Sequence, residues 1–438
     1  MITTINNKHK KLNFSSEREQ SQACLNSAEH EKNQGRKVLN VPNKREQNQT
    51  CLDSAEREGL RPKGNVPNLR FPEFQGEWEE ERLADIADLY KGTGISKDQL
   101  SDDGEPCILY GELYTKYKSE TIREVLSKTN IDNTKLVRSK ANDVIIPCSG
   151  ETAEDIATAR CVLNGNILLG GDLNIIRLHG YDGAFMSYQL NGRRKYDIAK
   201  VAQGVSVVHL YGEHLKGVKT INPCLEEQKK IAKLLSLLDE RIATQNKIIE
   251  DLKKLKSAIS ENLFKAVKGD VVILSDICEI IKGKQVNSEF LSEKGKYYVM
   301  NGGTEPSGYY SDYNVEANTI SISEGGNSCG YVQFNTSPFW SGGHCYTIQK
   351  IADNVDHLYL YHYLKSKEDA IMKLRIGSGL PNIQKKGLAM FKIKLPTVEQ
   401  QKSISTFLSS LERKAEIEER TQKAMQKEKL YLLRQMFI

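Results

Sequence analysis

The sequence predicts a mixed α/β (α+β) chain in which two globular domains alternate with two long helices, the helices pairing as an antiparallel coiled coil within a pseudo-twofold repeat. Three observations carry this expectation: a long-range duplication, two matched heptad seams, and short β-rich runs set between turn residues. At 438 residues the chain is also too long for one core, since single cores stop growing well before that length.

The duplication comes first, because a missed repeat misassigns an architecture. Leu83, Asp85, Ile86, Lys91 and Gly92 recur 191 positions later as Leu274, Asp276, Ile277, Lys282 and Gly283. Gly204, Leu215, Lys219, Pro223, Glu226, Gln228, Lys229 and Ile231 recur 173 positions later as Gly377, Leu388, Lys392, Pro396, Glu399, Gln401, Lys402 and Ile404, a register that holds to Phe264 and Phe437. Each copy opens and closes alike, while the interior differs in sequence and is 18 residues longer in the first copy.

Residues 1–64 precede both copies. They are rich in Asn, Gln, Glu, Lys and Arg and carry a small internal repeat spaced by 27 residues, around Cys24 and Cys51. So few apolar side chains cannot offset the entropy of ordering, and a disordered polar tail is expected.

Residues 65–222 and 269–395 are the expected globular domains. Asn142–Ile146, Leu173–Leu178, Asn318–Ser323 and Tyr346–Ile348 have strand composition and lie between Gly, Asn and Ser clusters. Residues 223–268 and 396–438 are the expected helices. The first places Ile231, Leu235, Leu238, Ile242, Ile249, Leu252, Ile259 and Leu263 on a heptad seam with polar slips at Gln245 and Lys256, bounded by Pro223 and Gly269. The second places Ile404, Leu408, Leu411, Ala415, Met425, Leu432 and Met436 on its seam, interrupted at Glu418, Gln422 and Lys429. About forty helical residues make a rod roughly 60 Å long. A narrow seam of that length needs a partner, and two matched helices in one chain supply it. Because the second domain begins where the first helix ends, the returning helix runs antiparallel.

Composition narrows the function. No apolar run approaches the roughly 20 residues of a membrane span. The opening MITTINNKHKKLNF has no hydrophobic signal segment, so a cytoplasmic location is expected. Nine scattered cysteines without a CxxC pair point to reduced thiols and no metal site. The net charge of +5 permits nucleic-acid binding without requiring it. No GxxxxGK[ST], adenine-methylation or HExxH motif is present, and Glu227-Gln228-Lys229 lacks the upstream carboxylate of a nuclease site. No catalytic residue, metal ligand or cofactor site is therefore assigned.

What both interiors share is lysine and arginine beside Gln, Asn, Ser and Tyr, the mixture that holds phosphates and bonds base edges. The candidates in the first domain are Lys91, Lys97, Tyr114, Lys116, Tyr117, Lys118, Arg193 and Arg194. Those in the second are Lys282, Lys284, Gln285, Asn382, Lys385 and Lys386, with the Asn301-Gly302-Gly303 loop nearby.

Two variable domains alternating with two near-identical helices resemble the specificity subunit of a type I restriction-modification enzyme. Asn68-Leu-Arg-Phe-Pro-Glu-Phe-Gln-Gly-Glu-Trp78, Pro223-Cys-Leu-Glu-Glu-Gln-Lys-Lys-Ile231 and Pro396-Thr-Val-Glu-Gln-Gln-Lys-Ser-Ile404 resemble that family's framework. The resemblance implies a non-enzymatic reader of double-stranded DNA whose two domains each recognise half of a split target. It also implies two methyltransferase subunits docked on the helices, with restriction and translocase subunits outside them. S-adenosylmethionine, ATP and magnesium then belong to the partners. The residues alone also admit a coiled-coil adaptor with two ligand-binding domains and no DNA role, which salt-sensitive duplex binding would separate from the first reading.

Overall fold

The computed structural model describes residues 64–438 apart from 133, 205–206 and 378–380, so the tail expected over 1–64 lies, but for its last residue, outside the described residues. In the first globular segment the strands that build the frame are β1 (Glu79–Arg82), β2 (Ala87–Lys91), β3 (Asp143–Pro147), β4 (Arg160–Val162) and β5 (Leu173–Leu178). Helix α1 (Gly183–Asn191) and strand β6 (Lys219–Asn222) lead into the long helix α2 (Leu225–Ala266). The second copy supplies β7 (Asp270–Ile273), β8 (Glu279–Lys282), β9 (Thr319–Ser323), β10 (Val332–Asn335) and β11 (Cys345–Gln349). Helix α3 (His357–Ser366), strand β12 (Lys392–Leu395) and the long helix α4 (Val398–Met436) complete it.

The main sheets share one strand order. In the first it is β2-β5-β3-β4, extended by Thr121–Ile122, and in the second it is β8-β11-β9-β10. The β-branched run Asp143-Val-Ile-Ile-Pro147 is buried along its whole length, as a strand covered on both faces requires. Asp182 and Asp356 cap α1 and α3 by accepting from the Phe185 and Tyr359 amides. Antiparallel ribbons, β1 with β6 and β7 with β12, zip the two ends of each segment together. The copies part where their interiors differ. The first adds a four-stranded sheet around Glu105–Ile108 and Ser127–Thr129, the second a three-stranded one around Tyr297–Met300.

The long helices run antiparallel. Gln245 Nε2 donates to Glu418 Oε2 at 2.5 Å, Lys256 pairs with Glu412 at 2.7 Å, and Lys429 pairs with Asp239 at 2.6 Å. The repeat operation exchanges the last two contacts, and Gln245 meets its own counterpart, so the pseudo-twofold axis crosses the rod there. The polar slips in the seams are thus interhelical partners, with Gln422 donating to Asn246. Buried polar pairs of this kind fix register, since a slipped alignment would strand them. Between them Leu238, Ile242, Ile249, Leu252, Leu411, Ala415 and Met425 are buried or half-buried.

Each helix begins in one domain's core and ends in the other's. Ile231 and Leu235 of α2 share the first core with Met436 and Phe437, with Leu432 packed beside them. Leu408 of α4 shares the second core with Phe264, flanked by Ile404, Ile259 and Leu263. Phe437 stacks on Phe185 at 5.1 Å between ring centroids, while Phe264 meets Tyr359 and Tyr363 edge-on. The opening string joins the same junction: Arg70 grips the fully buried Glu227 carboxylate through two 2.8 Å bonds. Glu227 is thus a packing and ion-pair partner at the junction, and the neighbouring Gln228 donates to Pro223 O at 2.8 Å.

The domains also sit on the rod through equivalent phenols, Tyr188 donating to Asp239 at 2.7 Å and Tyr361 to Glu412 at 3.1 Å. The first domain adds contacts that, among the described residues, have no counterpart in the second: Lys429 also pairs with Glu120 at 2.6 Å, and Arg123 with Glu240. Burial, reinforced by Asp239, raises the Glu120 pKa against the opposing pull of Lys429.

Beside these phenols the repeat sets Gln189 against His362, whose Nε2 lies 2.9 Å from Ser409 Oγ. Burial lowers the His362 pKa to about 4. The unfolded chain therefore takes up this proton near pH 6.5 and the folded chain only near 4. Stability from this residue is complete above pH 6.5 and falls by up to about 3 kcal/mol as pH drops through 4. His362→Gln should remove that part of the acid sensitivity, read as a smaller drop in urea midpoint between pH 7 and 4.5 than in the wild type.

Among the described residues no helix is long and apolar enough to cross a membrane.

Candidate nucleic-acid interface

Strands β2 and β8 end on equivalent lysines, Lys91 and Lys282, and the main chain around each is bonded alike. Cys148 N donates to Asp172 O and Leu210 N to Cys148 O; at the matching places Glu324 N donates to His344 O and Ile383 N to Glu324 O. Both mouths therefore have one frame, with Cys148 in the first standing where the second has Glu324.

In the second domain this frame gathers the separate sequence motifs. The Glu324 carboxylate takes Lys282 Nζ at 2.6 Å and the Tyr346 hydroxyl at 3.0 Å, with His344 Nδ1 at 3.5 Å. Burial, reinforced by this hydrogen bond, pushes the Tyr346 phenol up to about 12. His344 N donates to Asn301 Oδ1, which ties in the Asn301-Gly302-Gly303 loop. Gly302 lies in the left-handed region at φ +82°, and a Cβ there would come within 3.1 Å of the His344 side chain. Asn382 pairs with Gly325, next to Glu324. The Lys284 carbonyl accepts from Trp340 Nε1, and Gln285 lies against Gly343. Lys385 and Lys386 stand exposed on the short helix that follows Asn382. Five of the six candidates thus line one region, with Lys386 beside Lys385.

The first domain is more divided. Lys91 is exposed at its mouth, and Tyr114, whose hydroxyl donates to Ser149 O at 3.3 Å, borders it. Burial raises the Tyr114 pKa. Lys97 is exposed on a separate turn. Lys116 is engaged internally, bonding the buried Glu112 at 2.7 Å and Ser127 Oγ at 2.6 Å. Lys118 donates to Tyr114 O, and buried Tyr117 accepts from the Leu126 amide through its hydroxyl. Arg193 donates to the carbonyls of Arg434 and Phe437, and Arg194 to that of Ile438. These two guanidiniums face the C-terminal end of α4, where cations are favoured.

Residues absent from the candidate set also line the mouths: Glu324 and His344 in one, Cys148, His209 and Tyr211 in the other. Tyr211 is half-exposed and stacked with His209. For His209 and Tyr211 alone the signal was available in the duplication, since they occupy the repeat positions of Asn382 and Gln384.

The profile of the type I restriction modification DNA specificity domain matches residues 75–254 and 267–427. A type I restriction enzyme specificity subunit of Methanocaldococcus jannaschii is 26% identical over 408 residues, covering 82% of this chain and 91% of that protein. A putative type I specificity subunit of Mycoplasma pneumoniae is 34% identical over 138 residues, 31% of this chain and 36% of that protein. The fold resembles that of a type I restriction-modification S subunit from M. genitalium, with a TM-score of 0.64 at 20% identity over 85% of this chain and 99% of that one.

Proposed function

The chain belongs to the type I restriction-modification DNA specificity family, and on that premise we propose that each globular domain reads one half of a split DNA target while the coiled coil fixes the distance between them. The observation that carries this reading is the exchange symmetry of the rod, in which Asp239–Lys429 and Lys256–Glu412 are one contact made twice. Two reading faces related by a twofold address two half-sites, and unlike interiors address unlike sequences. Backbone contacts would position each domain and base-edge contacts would specify the sequence.

The same symmetry relates two faces of the rod that can serve as docking surfaces, with one exposed apolar position repeated on both. Leu234 and its counterpart Phe407 are exposed, as are Leu237, Ile248, Leu255, Ile417, Leu430 and Tyr431, outside the seam. Exposed apolar side chains along a rod mark protein contact, and two methyltransferase subunits fit them, with the restriction and translocase subunits joining through the complex. The methyl donor, ATP and magnesium are then held by those partners, and the assembly works in the cytoplasm.

Sequencing methylated adenines in cells that carry the chain and its methyltransferase subunit should reveal a gapped two-part motif. Exchanging residues 65–222 for those of another specificity subunit should replace one half of it and leave the other. A single ungapped motif, or simultaneous change in both halves, would overturn the reading.

A further inference from the structure

We propose that the two domains grip the DNA backbone unequally: Lys91 contacts phosphate, whereas its counterpart Lys282 is retained as the ion-pair partner of the buried Glu324, which ties the second domain's reading loops together. This rests on the two-reader function above and assigns roles within it.

The Glu324 side chain is only 9% exposed and accepts from two separate parts of the chain, Lys282 at the end of β8 and Tyr346 on β11, with His344 Nδ1 3.5 Å away in the turn before β11. Its own main chain bonds His344 and Ile383. One residue thus joins β11 to the two segments that carry the second domain's candidates. A buried carboxylate does not give up its ammonium cheaply, because the charge left behind has little water to solvate it. Lys282, although its own side chain is half-exposed, is therefore held by Glu324 in preference to a phosphate.

Cys148 holds the same main-chain position in the first domain. Burial pushes its thiol up to about 11, so it stays neutral at physiological pH. The nearby Asp172 carboxylate accepts from Ser149 Oγ at 3.3 Å and keeps its charge without pairing with Lys91. Lys91 is exposed, and among the described residues it has no carboxylate within ion-pair distance. An ammonium without an ion-pair partner at the mouth of a DNA-reading face releases a counterion when it meets phosphate; one already paired with a buried carboxylate does not.

Salt dependence measures the difference. With the full chain and its methyltransferase subunits on a duplex carrying the methylated motif, Lys91→Met should lower the slope of log K against log salt by about 0.9, one phosphate's share. Lys282→Met should leave it unchanged. Glu324→Gln should free Lys282 and steepen the slope by about 0.9, a loss of roughly 3.5-fold more affinity between 50 and 200 mM salt; adding Lys282→Met should restore the original slope. Cys148→Glu should flatten it as Lys91→Met does. Equal effects of Lys91→Met and Lys282→Met, or a Glu324→Gln slope unchanged in a protein that melts normally, would overturn the proposal while leaving the two-reader function intact. If Glu324→Gln fails to fold, the two lysine variants and Cys148→Glu decide. Absence of duplex binding by the wild-type assembly would overturn the function and the proposal together.

Discussion

Replacing Phe437 with alanine is expected to destabilise the first domain by about 3–5 kcal/mol, the usual cost of emptying a buried phenylalanine site, although this residue is distant from that domain in sequence. The ring is buried in the first core, stacked on Phe185 and edge-on to Trp78 at 6.5 Å. Hydrogen exchange should accelerate in β3 and β5 and stay unchanged in β9 and β11. Phe264→Ala should do the reverse, loosening the second domain, where that ring meets Tyr359 and Tyr363. Equal loosening of both sheets by either variant would show that the cores are not separate.

The second large effect concerns distance. Four residues inserted after Ile248 and after its counterpart Thr421 would lengthen both helices beside the twofold axis and leave the domain junctions untouched. The insertion adds roughly 6 Å of rod and about 40° of rotation beyond a full turn, and four-residue insertions are absorbed by local unwinding of a coiled coil. A base pair adds about 3.4 Å and, at 10–10.5 per turn, about 35°. The target should therefore keep its half-site sequences and gain one or two spacer base pairs, one by twist and two by length, while methylation of the original target falls to background. An unchanged spacer in the methylated motif would show that the rod does not set it.

Much of this architecture was legible because helices and strands announce themselves at short range. The seam from Ile231 to Leu263 follows a period that one helix face imposes, and Gln245 and Lys256, polar slips in the sequence, lie on that face. Asn142–Ile146 and Asn318–Ser323 stood out as β-branched runs between turns, and they fold as β3 and β9. What the chain did not disclose is pairing across large separations. Nothing local to Arg193 and Arg194 says that they cap carbonyls at the end of α4, and so a basic pair on a loop reads as a phosphate site. Tyr117 and Lys116 sit in a polar stretch yet fold inward onto Leu126, Glu112 and Ser127. Glu324 drew no attention because a single glutamate after a strand has no pattern, and its importance comes from Lys282, His344 and Tyr346 arriving from elsewhere in the chain.

The passage of each helix into the opposite core also imposes an order in time. A ribosome that has made residues up to Ala266 has supplied every strand of the first sheet. That core still lacks Met436 and Phe437, and the Asp239 and Glu120 carboxylates still lack the Lys429 ammonium. Domains ordinarily fold as they emerge, N-terminal first. Here the first domain to be synthesised is the last to be sealed, and an apolar opening beside two carboxylates that lack their ammonium partner persists until α4 has been made. A chain interrupted anywhere in its second half would thus display, in its first, a flaw that chaperones and proteases can detect before any defective reader joins an assembly.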